Sequence, residues 1–280
     1  MSSILKIDRG EVHLWYGFVE DFVDAAALVE SRALMNKSER VRSEGFHFDV
    51  DRNRFVAARG ALRRILSRYA PVEPGQWQFG INAFGRPHIA GPLQDIDGLT
   101  FNLSHTQRMI VVAVGRHCRL GVDAETTAQA PVGLEIADRF FAADEALDLR
   151  AQPPHLRQRR FMEYWTLKEA YTKARGEGLS VPLHQFGFVM GDHGGVELWV
   201  DACQPDVAQR WQVFQYWINE QDVVAICAEP VTEEHLGVTV REVTPPLIEQ
   251  LMDMRETRST PRHDLGEPSP SNRPQSLKPT

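Results

Sequence analysis

Residues 165–179 read WTLKEAYTKARGEGL, and they predict the helix around which the chain is organised. Within this stretch no glycine or proline precedes Gly176, and its Leu, Lys, Glu, Ala and Arg residues favour a helix. Trp165, Glu169 and Lys173 are four residues apart, so they share one helical stripe with neighbouring Cβ atoms roughly 5–6 Å apart. The glycines that follow end the helix, because glycine tolerates the left-handed conformation. Taken alone, such a Glu–Lys pair is more often a solvated surface pair than a site.

Composition and length are those of a globular protein. The 280 residues are 42% apolar and 25% charged, enough for one large or two small domains. No run approaches the ~18–20 apolar residues of a membrane span, and the first residues lack the apolar core of a secretory signal. Three cysteines lie far apart and predict neither a disulfide framework nor a thiolate metal site: Cys118, Cys203 and Cys227. A reducing cytoplasm is therefore the expected compartment.

Charge is distributed unevenly along the chain. Residues 1–120 hold 16 Lys and Arg against 13 Asp and Glu, whereas residues 121–254 hold 10 against 22. A basic first part beside an acidic second part suits an anionic ligand on one side and a cation on the other. The alternative is a surface that is merely uneven in charge.

Hydrophobic periodicity predicts a mixed chain. Alternating or uniformly apolar runs predict strands at 11–19, 99–104, 109–114, 120–125, 185–190, 196–200, 212–217 and 223–228. The strand at 109–114 is apolar throughout, which indicates that both of its faces are buried. Helical spacing predicts helices at about 24–34, from 51 onward, and at 133–141, 144–150, 155–175 and 246–252.

The helix that begins near residue 51 has an apolar stripe surrounded by arginines. The stripe consists of Phe55, Ala58, Leu62, Ile65, Leu66 and Tyr69. The arginines are Arg52, Arg54, Arg59, Arg63, Arg64 and Arg68, and most of them are expected to form a solvated face.

The order strand, long helix, strands occurs twice, which predicts an α+β protein of two fused halves, residues 1–120 and 121–254. Residues 255–280 contain five prolines, four serines and no aromatic residue. Such a segment buries too little to offset its chain entropy, so a disordered tail is predicted there.

Three carboxylates are candidates for a metal site. Asp123 and Glu125 are two residues apart on a predicted strand, so both project from one face, and Glu169 could join them. Clustered carboxylates require protonation or a cation, and oxygen ligands without a His or Cys set favour Mg²⁺ or Mn²⁺. The bland alternative is a pair of surface acids that follows a strand.

A second polar group ends the strand at 99–104. Ser104 and His105 offer a hydroxyl and an imidazole that can meet phosphate oxygens. The chain contains no Walker phosphate loop and no Gly-x-Gly-x-x-Gly fingerprint, so nucleotide binding of those kinds is not expected. No Gly-x-Ser-x-Gly elbow supports a hydrolase triad.

Four motifs in order resemble those of the 4′-phosphopantetheinyl transferases, in particular the longer, surfactin-synthetase-activating type. They are Phe84-Gly-Arg-Pro87, Phe101-Asn-Leu-Ser-His-Thr106, Gly121-Val-Asp-Ala-Glu125 and the stretch 165–179. The resemblance covers roughly residues 10–230. It implies a pseudo-dimeric fold of two similar α+β halves in one chain.

The resemblance also implies a role for each matching residue. The ligands of Mg²⁺ would be Asp123, Glu125 and Glu169. The pyrophosphate of coenzyme A would be contacted by Lys173 and Ser104. The 3′-phosphate would be bound by His105, Arg54 and one or both of Arg40 and Arg42, and Arg86 would lie along the adenine. Arg86 stands where many relatives have lysine, which keeps the charge and changes the contact geometry.

The implied activity is transfer of the 4′-phosphopantetheine arm from coenzyme A, a co-substrate, to a serine of an apo acyl, polyketide or peptidyl carrier protein. Lys173 would stabilise charge on the pyrophosphate, and Glu169 or a metal-bound hydroxide would take the serine proton. The candidate catalytic residues are Glu169, Lys173 and His105. A monomer is expected, with no nucleic-acid or membrane partner. The alternatives are a Mg²⁺-dependent phosphohydrolase and a non-catalytic, coenzyme A-dependent carrier-binding protein.

Overall fold

Two β-sheets, packed face to face and each covered by a long helix, form the centre of this computed structural model. The structure describes residues 4–128, 134–178, 181–191, 194–231, 235–245, 248–254 and 256–261. The helices are α1 (Val19–Phe22), α2 (Ala25–Leu34), α3 (Lys37–Glu44), α4 (Asp49–Leu66), α5 (Leu134–Phe140), α6 (Ala143–Ala151) and α7 (Pro154–Arg175). No helix within these ranges has both the length and the apolar character needed to cross a membrane.

The strands form two larger sheets and two hairpins. They are β1 (Glu11–Phe18), β2 (Phe79–Ile81), β3 (Pro87–Ile89), β4 (Leu99–His105), β5 (Met109–Arg116), β6 (Arg119–Thr126), β7 (Phe186–Met190), β8 (Val196–Val200), β9 (Gln212–Trp217), β10 (Asp222–Glu229), β11 (Gly237–Thr244), β12 (Ile248–Met252) and β13 (Arg258–Ser259). The first sheet has the order β12-β11-β1-β5-β4 and the second has the order β13-β9-β10-β6. Strands β2 and β3 pair with each other, as do β7 and β8. The predicted mixed α+β class is confirmed.

Strand β5 shows how the layers are arranged. One set of its alternate residues packs against the second sheet: Met109, Val111 and Ala113. The other set packs against α4: Ile110, Val112 and Val114. All six are buried, as the uniformly apolar run predicts. On the far side, α7 covers the second sheet, so the order of layers is α4, first sheet, second sheet, α7.

Helix α4 packs through the predicted apolar stripe, but the expectation of a solvated arginine face is wrong. None of the five arginines of α4 is exposed, nor is Arg68 just beyond its end, and Arg59 and Arg63 are buried. Arg63 Nη2 lies 2.5 Å from Glu39 Oε2, and Nη1 donates to the Trp77 carbonyl at 2.6 Å. A charge can be buried when a partner charge and hydrogen bonds compensate its lost hydration, and Glu39 on α3 is that partner.

Helix α7 has the boundaries that its sequence predicts. Proline occupies the first helical turn, where its missing N–H costs nothing. The helix ends at Gly176, whose φ of 75° is left-handed, with its N–H donating to the Thr172 carbonyl.

A buried ion pair attaches α7 to the rest of the second half. Lys168 Nζ lies 2.7 Å from Glu145 Oε2 on α6, and neither side chain is exposed to solvent. Lys168 also donates to the carbonyls of Leu183 and Phe186, while Glu145 Oε1 accepts the Phe188 N–H at 2.9 Å. Because both charges are fully partnered, the pair fixes α7 against α6 and β7.

The helix predicted at 246–252 is wrong in the part that the structure describes. Residues 248–252 form strand β12, which pairs antiparallel with β11. Residues 246 and 247 lie outside the described residues. Helical spacing in a short segment is a weak signal, and pairing with β11 overrides it.

The predicted disorder of 255–280 is wrong for residues 256–261, while 255 and 262–280 lie outside the described residues. Strand β13 pairs with β9, and Thr257 N donates to the Gln215 carbonyl at 2.7 Å. Arg258 Nη2 lies 3.3 Å from Glu163 Oε2 on α7. This short segment is ordered by partners that lie far away in the sequence.

A chain that ends at residue 255 should therefore be less stable than one that ends at residue 261. Loss of the β13 hydrogen bonds and of the Arg258–Glu163 ion pair should cost about 1–2 kcal/mol, which corresponds to a Tm lower by about 2–8 °C. Thermal unfolding of the two chains measures the difference directly. Equal Tm values would show that β13 contributes nothing to stability.

Candidate active site

Strand β6 lies unusually close to α7, and this approach brings the acidic residues to the helix. A Cβ atom on Gly121 would lie 2.0 Å from the Ala170 carbonyl oxygen and 2.4 Å from the Ala174 nitrogen. Only glycine fits there without displacing backbone. Asp123 follows two residues later on β6, beside the turn of α7 that carries Lys173.

Lys173 joins three elements at the centre of the site. Its Nζ lies 2.6 Å from Asp123 Oδ1 on β6 and donates to Ser104 Oγ on β4 at 2.9 Å. Ser104 Oγ in turn donates to Asp123 Oδ1 at 3.0 Å. The second carboxylate oxygen, Asp123 Oδ2, is buried without a hydrogen-bond partner. Lys173, Ser104 and Asp123 thus form a compact triangle in which one carboxylate oxygen has no partner.

Asn102 connects the two sheets at this point, although the motif pattern does not assign it a role. Its Oδ1 accepts the Val122 backbone N–H at 2.9 Å, across the gap between β4 and β6. Asn102 is itself buried. A buried side-chain amide needs a hydrogen-bond partner, and that requirement is the signal by which Asn102 could have been found.

Glu125 and Glu169 complete the acidic group. The pKa of Glu125 is raised to about 7, first by burial and then by the Asp123 carboxylate. Burial and Asp123 also raise the pKa of Glu169, while the Lys173 ammonium opposes the shift. The three carboxylates therefore affect one another electrostatically, as carboxylates that share a site do.

These residues fit a hard divalent cation. Among the described residues, no group of three or more His, Cys, Asp or Glu is already gathered closely enough to hold a metal ion. Mg²⁺ does not need such a cage, because it is often bound by one or two carboxylates, with water and substrate phosphates as its other ligands. The unpartnered Oδ2 of Asp123 and the raised pKa values of Glu125 and Glu169 are features that a bound cation would relieve.

A cationic cluster lies on the other side of β4. Arg54 on α4 is hydrogen-bonded to Asp51, and its Nε is buried without a partner. His105 ends β4, and its pKa is lowered first by desolvation and then by the charge of Arg54. The structure therefore brings together two of the residues predicted to meet a phosphate.

The structure separates the two remaining candidates of this cluster. Arg42 lies over the Phe55 ring, with its guanidinium carbon 5.4 Å from the ring centroid, and Arg59 lies 5.2 Å from the same centroid. Arg40 points away, since it donates to the carbonyls of Met35 and Ala33. Arg42 is thus placed with the cluster and Arg40 is not. Arg59 is an additional member that was expected to be solvated.

Arg86 lies at the C-terminal end of α7. Its guanidinium donates to the carbonyls of Lys173 and Ala174, and to that of Leu120 at the start of β6. Arg86 therefore contacts the backbone of both elements that carry the acidic centre, α7 and β6, rather than its side chains.

Three clustered carboxylates lie beside a cluster of arginines and a histidine. This arrangement suits an enzyme that binds a cation together with a phosphorylated anion.

The family model of the 4′-phosphopantetheinyl transferase superfamily matches residues 119–227, from β6 to β10. The 4′-phosphopantetheinyl transferase HetI of Nostoc sp. is 39% identical over 63% of this chain and 73% of its own length. The 4′-phosphopantetheinyl transferase psf-1 of Bacillus pumilus is 30% identical over 73% of this chain and 83% of its own length. The 4′-phosphopantetheinyl transferase Sfp of Bacillus subtilis is 28% identical over 70% of this chain and 83% of its own length. The chain belongs to the 4′-phosphopantetheinyl transferase superfamily.

The raised pKa of Glu125 predicts a pH-dependent loss of stability in metal-free protein. The folded state holds the Glu125 proton up to pH of about 7, whereas the unfolded chain releases it near the ordinary value of 4.5. Raising the pH from 5 to 8 therefore removes this proton mainly from the folded state and lowers the free energy of unfolding. This decrease in the free energy of unfolding should be smaller in Glu125→Gln, because glutamine does not titrate. Denaturant unfolding in EDTA at several pH values measures it, with exposed Glu20→Gln as the control. An equal decrease in Glu125→Gln would contradict the prediction.

Proposed function

We propose that this 4′-phosphopantetheinyl transferase moves the phosphopantetheine arm of coenzyme A to a serine hydroxyl of an apo carrier protein, with the residues around Lys173 as its catalytic centre. The observation that carries the proposal is the contact of Lys173 Nζ with both Asp123 Oδ1 and Ser104 Oγ. It places an ammonium, a hydroxyl and a carboxylate with a free oxygen at one point, where a pyrophosphate and a cation can be bound together.

The reaction is a phosphoryl transfer in which the partner supplies the nucleophile. The serine oxygen forms a bond to the phosphorus that bears the pantetheine arm, and the bond from that phosphorus to the bridging oxygen breaks. Adenosine 3′,5′-bisphosphate leaves with the electron pair of the broken bond. Lys173 neutralises charge on the pyrophosphate, and the Ser104 hydroxyl would donate to it by turning its single proton away from Asp123 Oδ1. No activated Ser or Cys is required of this chain.

Glu169 is the proposed acceptor of the serine proton. It lies one turn from Lys173 on α7, and its carboxylate can accept a proton when it is ionised, which is the state that a bound cation would favour. Asp123, Glu125 and Glu169 would hold Mg²⁺, which would supply further neutralisation of pyrophosphate charge when bound.

The cationic cluster is the proposed site of the coenzyme A 3′-phosphate. The charges of Arg54 and Arg59 act on His105 at the end of β4, and Arg42 shares the Phe55 ring with Arg59. The buried and unpartnered Nε of Arg54 is a donor that a phosphate oxygen would satisfy. The contacts of Arg40 with the Ala33 and Met35 carbonyls, at the end of α2 and just beyond it, favour Arg42 over Arg40 as the ligand.

A pseudo-dimeric organisation fits the same arrangement. In each half a long helix covers one sheet, α4 over the first and α7 over the second. The halves would comprise residues 1–120 and 121–254. The returning strands β11 and β12 of the second half would then complete the sheet of the first.

The proposal is tested by incubating the chain with coenzyme A, Mg²⁺ and an apo carrier protein, and then weighing the carrier. A mass gain of one phosphopantetheine supports the transfer. Unmodified carrier together with hydrolysed coenzyme A would indicate the phosphohydrolase instead. Binding of carrier and coenzyme A without any turnover would indicate the non-catalytic carrier-binding protein.

Glu169→Gln and Lys173→Ala should each reduce turnover on the carrier by at least ~100-fold, about 2.7 kcal/mol of transition-state stabilisation. A surface Glu–Lys pair would contribute only ~0.3–0.5 kcal/mol of stability and nothing to turnover. Steady-state rates, with circular dichroism to confirm folding, distinguish the two. Arg150→Ala on α6, which breaks an exposed ion pair, is the control. Near-normal turnover in either folded variant would remove that residue from the mechanism.

Arg54→Ala should weaken coenzyme A about ten- to a hundredfold more than 3′-dephospho-coenzyme A, because only the former carries the phosphate that Arg54 would meet. Calorimetry with both ligands measures the two affinities. Arg52→Ala is a matched control on the same helix, since Arg52 pairs with Asp49 as Arg54 pairs with Asp51. Equal losses for both ligands in Arg54→Ala would show that Arg54 acts through the fold.

A further inference from the structure

The turn between β2 and β3 is folded around one asparagine. Asn82 Oδ1 accepts the backbone N–H groups of Phe84 and Arg86, both at 2.9 Å. Its Nδ2 donates to the Gly176 carbonyl at 2.9 Å, across to the end of α7. The turn that carries the Phe-Gly-Arg-Pro motif is therefore attached to the helix of the second half.

Arg86 reinforces this attachment with three hydrogen bonds. Nη1 donates to the Lys173 carbonyl at 2.8 Å and to the Ala174 carbonyl at 3.1 Å, and Nη2 donates to the Leu120 carbonyl at 2.7 Å. The last four carbonyls of a helix have no partner within the helix, and a cation there is favoured by the helix dipole. One guanidinium thus links the end of α7 to the start of β6.

The two glycines after α7 make this contact possible. Gly176 and Gly178 have φ values of 75° and 58°. A Cβ atom on Gly176 would lie 3.3 Å from Arg86 Nη1, and one on Gly178 would lie 3.3 Å from Phe84 Cβ. The glycine pair therefore lets the turn approach the helix end closely, in addition to ending the helix.

We propose that Arg86 is a positioning residue for Lys173. It holds the backbone of Lys173 and the start of β6 together, so that Nζ stays on Asp123 Oδ1 and Ser104 Oγ. The inference rests on the proposed role of Lys173 at the pyrophosphate. The resemblance places Arg86 along the adenine instead, but three of its donor contacts are already made to backbone carbonyls within the protein.

The two roles predict different kinetics for Arg86→Gln. A positioning role predicts a kcat lower by at least ~10-fold, since small misplacements of a catalytic group are costly, with the KM and Kd for coenzyme A within about twofold of the original. Arg116→Gln is a matched control. Arg116 also donates to two carbonyls, those of Asp97 and Tyr69, but it does not touch α7. Its kcat should stay within about twofold of the original, even if its Tm falls equally.

A double-variant cycle shows whether Arg86 acts through Lys173. The double variant Arg86→Gln/Lys173→Ala should be no slower than Lys173→Ala alone, because the residue being positioned is already gone. Arg86→Lys should recover part of the lost kcat, since an ammonium can reach some of the carbonyls. If Arg86→Gln does not fold, Asn82→Asp serves instead. It removes the donor to Gly176 and keeps the acceptors of the turn, and it should lower kcat without weakening coenzyme A.

Any one of three binding or kinetic results would overturn the inference: a raised Kd for coenzyme A at unchanged kcat, multiplicative losses in the double variant, or normal turnover in Lys173→Ala. Hydrogen exchange gives a readout that does not depend on activity. Amides in the last turn of α7 should exchange faster in Arg86→Gln than in Arg116→Gln, and equal exchange would overturn the inference as well. Failure of the unaltered chain to modify any carrier would instead count against the proposed function, while the exchange experiment would still decide whether Arg86 fixes the helix end.

Discussion

The acidic site depends on the close contact of β6 with α7 at Gly121. There the strand backbone lies directly against the carbonyl of Ala170 and the nitrogen of Ala174, with no side chain between them. Asp123 is consequently brought within 2.6 Å of Lys173 Nζ, although the two residues are 50 positions apart. The buried Lys168–Glu145 pair fixes the same helix from its other side. Helix α7 is thus held where its polar stripe meets the strand, and the chemistry follows from that placement.

Strand β4 separates the two charge environments of the site. Ser104 and His105 are neighbours at its end, and successive side chains of a strand point to opposite sides. Ser104 contacts Lys173 and Asp123, whereas the pKa of His105 is lowered partly by Arg54. One short strand end thus belongs to the acidic centre through Ser104 and to the cationic cluster through His105, and we propose these two sides for the pyrophosphate and the 3′-phosphate of coenzyme A.

Several expectations failed for the same physical reason. Arg59, Arg63 and Arg258 were expected on solvated or disordered surfaces, because charged residues in a sequence are usually exposed. In the structure each of them meets a carboxylate from a distant element, Glu39 for the first two and Glu163 for the third. The strand β13 and the strand at 248–252 likewise owe their conformation to a partner strand. When a distant group pairs with a charge or accepts a hydrogen bond from a backbone N–H, the sequence around that residue carries no pattern that would predict it.

By itself, the sequence determined the extent of α7, the main strands and the motifs that carry Ser104, Asp123, Glu169 and Lys173. Those features depend on helical spacing, on strand alternation and on glycine at a left-handed position, all of which are local. Only the tertiary structure decided that Asn102 joins β4 to β6, that Arg42 and not Arg40 faces the cationic cluster, and that Arg86 binds the end of α7. Each of these is set by which backbone or side-chain groups of other elements come within reach, and that depends on how the layers pack.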